Sequence, residues 1–327
     1  MHVLSRRKLI QTAAAASLLG TLTSRAQVVT NLRMVVGFPA GGQSDVLARA
    51  VCDRLRGGYA SIALVDNKPG AAARIAVDVV KGAAPDGQTA LLSPMSVMSL
   101  YPHVYKALRY DPWVDLTPVT AVSRGALALF AGPGLPSQVR SLADLATWAK
   151  NNATKANFGS PAVGSSPHLT GLIYAKLSGQ DWQPIGYQGA APAIVALLGG
   201  ELPIYYGSIG DGVEHVRAGK LRVLATTGGR RSTFLPDVPT FVEQGFPTLV
   251  VEEHHSIFLP GHVSPSVLDN FSKAVRSAVG SREVTDILTR FALEPVGNAP
   301  AELMAIQRAD SERWGAMVKT IGYTAAE

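Results

Sequence analysis

Val35-Val36-Gly37-Phe38-Pro39-Ala40-Gly41-Gly42-Gln43-Ser44-Asp45 is the stretch of sequence that decides the fold. A short apolar run ends in a glycine-rich turn, and apolar residues then recur at the spacing of one helix face, at Val46, Leu47, Ala50, Val51 and Leu55. The pattern predicts a strand, a tight turn and a helix in direct succession. Such a unit directs free backbone N–H groups from the positive end of a helix dipole towards one point, which is an anion-binding arrangement.

The first residues predict an export signal that is not part of the fold. Ser5–Ile10 carries a twin-arginine pattern, an apolar stretch runs from Ala13 to Leu22, and Ser24–Ala26 offers small residues to a signal peptidase. The apolar stretch is too short to remain as a membrane anchor. We therefore predict a Tat-type signal peptide over residues 1–26 and a periplasmic mature protein, in preference to an amphipathic N-terminal helix.

The formal net charge of +6 depends largely on this segment, because four unopposed cations lie in it, at Arg6, Arg7, Lys8 and Arg25. The mature chain carries a charge of only about +2 and contains no basic run, so we expect no nucleic-acid partner. Cys52 is the single cysteine, which excludes an internal disulfide. Its place on the apolar side of the first helix predicts a buried, unreactive thiol.

Short apolar runs alternate with amphipathic helical patterns, which predicts an α/β protein. The predicted strands are Leu32–Gly37, Ile62–Val65, Thr89–Ser93, Ala126–Ala131, Asn157–Gly159, Leu202–Tyr206 and Leu221–Thr226, and from Ile257–Leu259 the chain is expected to return to the first lobe. A hydrophobic content of 47% supports two lobes with separate cores. We predict one lobe from residues 27–124 and 253–327 and a second lobe from residues 125–252.

Two loops are candidates for anion capture, and we call Pro39–Asp45 loop one and Gly159–Ser166 loop two. Loop one by itself is equally compatible with an ordinary strand-to-helix turn. Loop two nearly matches a phosphate-binding G-x-x-x-x-G-K-[ST] loop, but Ser165 stands where the lysine must be. A set of small donors at a helix N-terminus remains, and this arrangement suits a carboxylate.

Three other groups of residues can be interpreted either as functional sites or as ordinary structural features. Ser165 or Ser166 with His168 could form a hydrolase site, but no G-x-S-x-G elbow surrounds them, so we predict no enzyme. Glu252–His255 resembles a metal cluster, but consecutive side chains point in different directions, which favours a solvated or hinge-flanking stretch. Arg74 is either a partner for a ligand carboxylate or an exposed arginine at a helix start.

The chain resembles the tripartite tricarboxylate transporter receptors, the TctC or Bug family of periplasmic binding proteins, through short pieces spread over almost its whole length. In the first half these pieces are Phe38–Gly42, Asp45, Arg49, Asp66–Ala71, Ala84–Thr89 and Tyr110–Pro112. In the second half they are Gly159–Pro161, Gly164–Ser165, His168–Leu169, Tyr187–Pro192, Leu198–Gly200, Gly219–Arg222, Arg231 and Leu235–Thr240. Each piece alone is weak, but together and in this order they are specific.

The resemblance implies a type II periplasmic-binding-protein fold, in which two α/β lobes joined by a hinge close over a ligand in the cleft between them. It implies a small organic carboxylate as ligand (a dicarboxylate, a tricarboxylate or an aromatic acid), a tripartite permease or a sensor kinase as partner, and no cofactor or metal. We expect a monomer. The candidate ligand-binding residues are Phe38, Ala40, Gly41, Gly42, Asp45, Ala72, Arg74, Ser93, Gly159, Ser160, Gly164, Ser165, Ser166, His168, Tyr205 and Tyr206.

Two departures from the family pattern bear on the ligand. Ala72 and Ala73 stand where the family usually has glycines, and Gly207 stands where a strand commonly ends in Asp. If that acid normally meets an amine or hydroxyl end of the ligand, Gly207 removes it. We therefore expect a plain or aromatic carboxylate, with Tyr205 or Tyr206 near its far end, and no amino acid. A ligand-free envelope protein of the same fold is the other alternative.

Overall fold

A computed structural model describes residues 29–325, so the predicted signal peptide lies outside the described residues. The strands are β1 Val29–Val36, β2 Ala60–Asn67, β3 Thr89–Pro94, β4 Leu116–Ala131, β5 Asn157–Ser160, β6 Gln183–Gly186, β7 Ile204–Ser208, β8 Arg222–Thr226, β9 Glu252–Pro260 and β10 Glu294–Pro295. The helices are α1 Gln43–Leu55, α2 Arg74–Lys81, α3 Ser96–Ser99, α4 Tyr101–Val104, α5 Leu142–Asn151, α6 Ser166–Ser178, α7 Ala190–Leu198, α8 Ile209–Arg217, α9 Pro265–Val279, α10 Arg282–Arg290 and α11 Pro300–Ile321. The predicted α/β class and two-lobe binding-protein architecture are confirmed.

The strands form two groups that share β4. The first group has the order β2-β1-β3-β9-β4, and β1 runs parallel to both β2 and β3. The second has the order β4-β7-β5-β6, with β8 also paired to β4, and β5 runs parallel to β6 and β7. Strand β4 pairs with β9 along Leu116–Ala126 and with β7 along Leu127–Ala131, so a single strand carries main-chain pairing from one group to the other.

Alternating side chains distribute the apolar residues between three core clusters. In β3, Leu92 packs into a cluster beneath α1 and α9, whereas Leu91 belongs to a larger cluster that extends to Phe158 and Tyr206 in the second group. The third cluster lies around Phe130 on the α7 and α8 side. Cys52 is buried as predicted, and burial raises the pKa of its thiol to about 12, which makes it a poor nucleophile.

The turn between β2 and α2 has an unusual backbone. Ala71, Ala72 and Ala73 all have positive φ angles, of 45°, 52° and 70°. The left-handed region costs a residue with a Cβ roughly 1–2 kcal/mol, which explains why glycine is the usual residue there. The turn packs against Gly37, which follows β1 and precedes loop one, and an added Cβ there would come within 2.3 Å of the Ala73 Cβ. This contact places the strained turn beside the start of loop one.

We predict that Ala72→Gly stabilises the protein by up to about 1 kcal/mol. Relief of the left-handed strain exceeds the roughly 0.4–1 kcal/mol that glycine loses through a freer unfolded chain. Urea unfolding measures the difference. Ala305→Gly, at an exposed position in the interior of α11, is the control and is expected to destabilise by about 1 kcal/mol. If both variants lose stability alike, the turn is not strained.

Candidate ligand-binding site

The candidate residues lie where strands end. Loop one follows β1, the strained turn follows β2, Ser93 is near the end of β3, and loop two follows β5. Because β1 is parallel to β2 and β3, their carboxyl ends meet at one edge, and the same holds for β5 beside β7. Ligands of open α/β sheets bind at such edges. The structure thus brings most of the predicted residues to the strand ends of the two groups.

Loop one is held in shape by Asp45. Its Oδ2 atom accepts hydrogen bonds from the Gly41 N–H at 2.8 Å and from Arg49 Nε at 3.0 Å, and its Oδ1 pairs with Arg49 at 2.9 Å. Although burial alone would raise it, these hydrogen bonds hold the pKa of Asp45 below its usual value. Ala40, Gly41 and Gly42 remain exposed, and Phe38 is half-buried. Asp45 therefore braces the turn with its own carboxylate.

Loop two is more enclosed than loop one. Ser160, Gly164, Ser166 and His168 are all buried. The Gly164 N–H donates to His168 Nδ1 at 3.2 Å, and burial lowers the pKa of His168 to about 4, so its imidazole is neutral at pH 7. The loop therefore presents neutral donors and no cation.

Tyr105 connects the first group of strands to loop two. The Arg74 guanidinium lies 3.9 Å from the centre of its ring, which is a cation–π contact, and Arg74 Nε donates to the Ala71 carbonyl. The Tyr105 hydroxyl in turn lies 3.0 Å from the position that a Cβ on Gly164 would take. Arg74 is thus engaged with Tyr105 and with its own turn. Tyr105 carries no local sequence signal of a binding residue, because it follows a helix of only four residues.

The two predicted tyrosines of β7 point in opposite directions. Tyr206 packs with Phe158 and Phe241, at ring distances of 5.4 and 6.4 Å, whereas Tyr205 lies in the third cluster and donates to Asp211 at 2.9 Å. A Cβ on Gly207 would come within 2.3 Å of the Asp211 carboxylate. Asp211 therefore occupies the space that a side chain at position 207 would need, which is the physical reason for glycine there.

An acidic residue that the sequence analysis treated as solvated lies between the two groups. One carboxylate oxygen of Glu253, at the start of β9, accepts from the Ser96 N–H at 3.1 Å, and the other accepts from the Ser166 hydroxyl. Burial raises the pKa of Glu253 to about 7, and the nearby Asp310 carboxylate adds to the shift. The stretch Glu252–His255, predicted to be solvated or hinge-flanking, is only partly solvated, since His255 is buried and Glu253 is partly exposed.

Some buried hydroxyls have no hydrogen-bond partner among residues 29–325. They include Ser93, Ser160, Ser256 and Tyr206. Ser93 and Ser256 lie directly opposite each other in the β3–β9 pair, so two of these hydroxyls share one face of the sheet. An unpaired buried hydroxyl lowers the stability of the folded state by about 1–3 kcal/mol. Such groups are commonly satisfied by a water or a ligand.

The geometry at loop two does not form a nucleophile–base pair. The Ser165 hydroxyl donates to the Ala162 carbonyl at 2.6 Å, the Ser166 hydroxyl donates to Glu253, and His168 Nδ1 accepts from a backbone N–H. An activated serine needs a hydrogen bond to its base. Within residues 29–325, no three His, Cys, Asp or Glu side chains are grouped so as to hold a metal ion, and no helix has the length and apolarity to cross a membrane.

The chain is similar in sequence and structure to proteins of one known family. The family description "Tripartite tricarboxylate transporter family receptor" matches residues 47–323. Protein BugT of Bordetella pertussis (strain Tohama I) is 31% identical over 297 residues, which cover 89% of each chain. The solved structure of R. palustris Rpa4515 with adipate has a TM-score of 0.83 at 28% identity and covers 90% of this chain and 98% of its own. MatC from Rhodopseudomonas palustris with bound malate has a TM-score of 0.80 at 25% identity, with 89% and 99% covered.

These matches extend over most of the chain in both sequence and structure. The chain belongs to the TctC/Bug family of periplasmic solute receptors, and it is a binding protein and not an enzyme.

Proposed function

We propose that this protein captures a small organic carboxylate without an amino group and delivers it to a tripartite permease or reports it to a sensor. The observation that carries the proposal is the pair of buried hydroxyls at Ser93 and Ser160, which lack partners among residues 29–325 and lie at strand ends in the two groups. A carboxylate between them would accept both hydrogen bonds. Charge-assisted bonds of this kind contribute about 1.5–3 kcal/mol each.

The two helices that begin at the site would donate further hydrogen bonds to the ligand. Helices α1 and α6 each have 13 residues, and neither Gly42 nor Ser165 caps its helix with a side-chain hydrogen bond. Their first-turn N–H groups are therefore available to an anion, and the helix dipoles favour negative charge there. We infer that loop one and loop two hold the same carboxylate when the lobes close, with a hinge near residues 124–125 and 252–253.

The family neighbours support the ligand class, because one is described with adipate and another with bound malate. Neither adipate nor malate carries an amino group. Gly207 agrees with this choice, since Asp211 leaves no room for an acid at that position, and Asp211 itself already accepts from Tyr205 and from the Ser208 N–H. We propose a monomer that is exported through the Tat route by residues 1–26.

A ligand panel tests the proposal. We expect adipate, malate, citrate or benzoate to raise the melting temperature by several degrees, because a ligand at 100 times its Kd stabilises the folded state by about 2.7 kcal/mol. Glutamate and aspartate are matched controls that add an ammonium group. Selective stabilisation by either amino acid contradicts the ligand class, and no response to any acid supports a ligand-free envelope protein.

A single hydroxyl deletion locates the site. We predict that Ser160→Ala weakens binding of the best acid by roughly 10- to 150-fold, measured by isothermal titration calorimetry, because one charge-assisted hydrogen bond is lost. The ligand-free variant should be as stable as the wild type or more stable, since the deleted hydroxyl is buried and unpartnered.

Ser272→Ala is the matched control. Ser272 is likewise buried, at 3% exposure against 0% for Ser160, and its hydroxyl also lacks a partner among residues 29–325, but it lies on α9, away from the strand ends. This variant should show the same change in stability and an unchanged affinity. Equal affinities in all three proteins would place the ligand elsewhere.

A further inference from the structure

We propose that Glu253 couples ligand capture to the uptake of one proton, so that loop one and loop two hold a small carboxylate together with a protonated Glu253 side chain. The proposal rests on the proposed function, because it concerns the same binding site. It adds a regulatory property, namely that affinity for the acid depends on pH through one named residue.

Glu253 lies close to the proposed ligand position. Its carboxylate joins the Ser96 N–H, after β3, to the Ser166 hydroxyl, at the first residue of α6. Ser166 lies in the same helical turn whose N–H groups would hold the ligand. An ionised Glu253 therefore puts a negative charge within one helical turn of the incoming carboxylate, in a partly buried cleft where water screens the repulsion weakly.

The surroundings of Glu253 offer no compensating cation. The charged group that acts on it is Asp310 of α11, a buried carboxylate that is itself paired with Arg313 and accepts from Ser99. No Lys or Arg within residues 29–325 forms an ion pair with Glu253. A largely desolvated carboxylate without a cation is most easily accommodated by protonation.

The other titratable groups near Glu253 do not change charge around neutral pH. His254 and His255 of β9 and His168 of α6 each have a pKa lowered to about 4, in every case chiefly by burial. Tyr101 of α4 has a pKa raised well above its ordinary value by burial, so it stays neutral. Arg124 of β4 is paired with Glu294. Glu253 and Asp310 are the carboxyls of this cluster whose pKa values are raised.

The direction of the effect follows from linkage. Below about pH 7 Glu253 of the free protein is protonated, and the carboxylate ligand binds without repulsion. Above that pH the side chain must take up a proton when the ligand binds, so affinity falls by about tenfold for each further pH unit. The protonated carboxyl can also donate a hydrogen bond to the ligand, which an ionised one cannot.

The test is calorimetric titration of the wild-type protein with adipate, malate, citrate and benzoate from about pH 6 to about pH 9, where ligand carboxylates are largely ionised. We expect affinity to fall roughly 50-fold between about pH 7 and about pH 9, because Glu253 is already half ionised at its pKa of about 7. Titration at about pH 8 in two buffers of different ionisation enthalpy should show close to one proton taken up per ligand. This second measurement needs no variant.

Glu253→Gln identifies the group. Glutamine mimics the protonated acid and keeps both contacts, since its amide oxygen accepts from Ser96 and its NH₂ donates to Ser166. We expect this variant to bind with the same affinity at every pH and without proton uptake. Glu252→Gln removes the same charge one residue away and should retain the wild-type pH profile.

The outcomes separate the two proposals. If none of the four acids binds at any pH, the proposed function fails. If an acid binds with an affinity that is flat from about pH 6 to about pH 9, only the role of Glu253 fails. Retained pH dependence in Glu253→Gln also overturns it, whether Asp310 or another group is responsible. An affinity for these acids that rises with pH would mean that binding releases a proton, which overturns it as well.

Discussion

The structure depends on the main-chain pairing of β4. Its first part bonds to β9 and its last part bonds to β7 and β8, so one strand of 16 residues belongs to both groups of strands. The pairing fixes which side chains face each core cluster, because a shift by one residue would turn every side chain to the opposite face. It also sets the separation of the two strand-end edges where the candidate residues collect.

Local patterns in the sequence predict most of the strands of this fold, but they predict only part of the central strand β4. Strands β3 and β8 match their predicted limits to within one residue, because each is a short, largely apolar run that follows a glycine-containing turn. Of β4, only Ala126–Ala131 is predicted. Its first part buries polar residues such as Thr120, whose hydroxyl donates to the Asn298 carbonyl at 2.7 Å, and a hydroxyl that is satisfied by a distant partner resembles a surface position in the sequence.

The same limit applies to the site. Loop one and loop two are local motifs, so the sequence places them at strand ends without knowledge of the fold. Glu253 could not be found in this way, since its two partners are 157 and 87 residues away and only the tertiary structure brings them together. The strained alanines were noted as a departure from glycine, but their positive φ angles depend on the packing of Ala73 against Gly37. Local motifs therefore predict the loops that line the cleft, whereas long-range contacts determine its electrostatics.

A strand shared between two groups also limits how receptors of this kind can diversify by recombination. A crossover that exchanged the second half for that of a relative would cut β4 between Ala126 and Leu127 and would cut again where β9 begins. Both junctions fall within paired strands, and the donor segment would have to continue the register of the recipient on each. Specificity is more easily altered by replacing loops at the strand ends than by exchanging halves, so gene shuffling should succeed mainly where the break points lie in loop one or loop two.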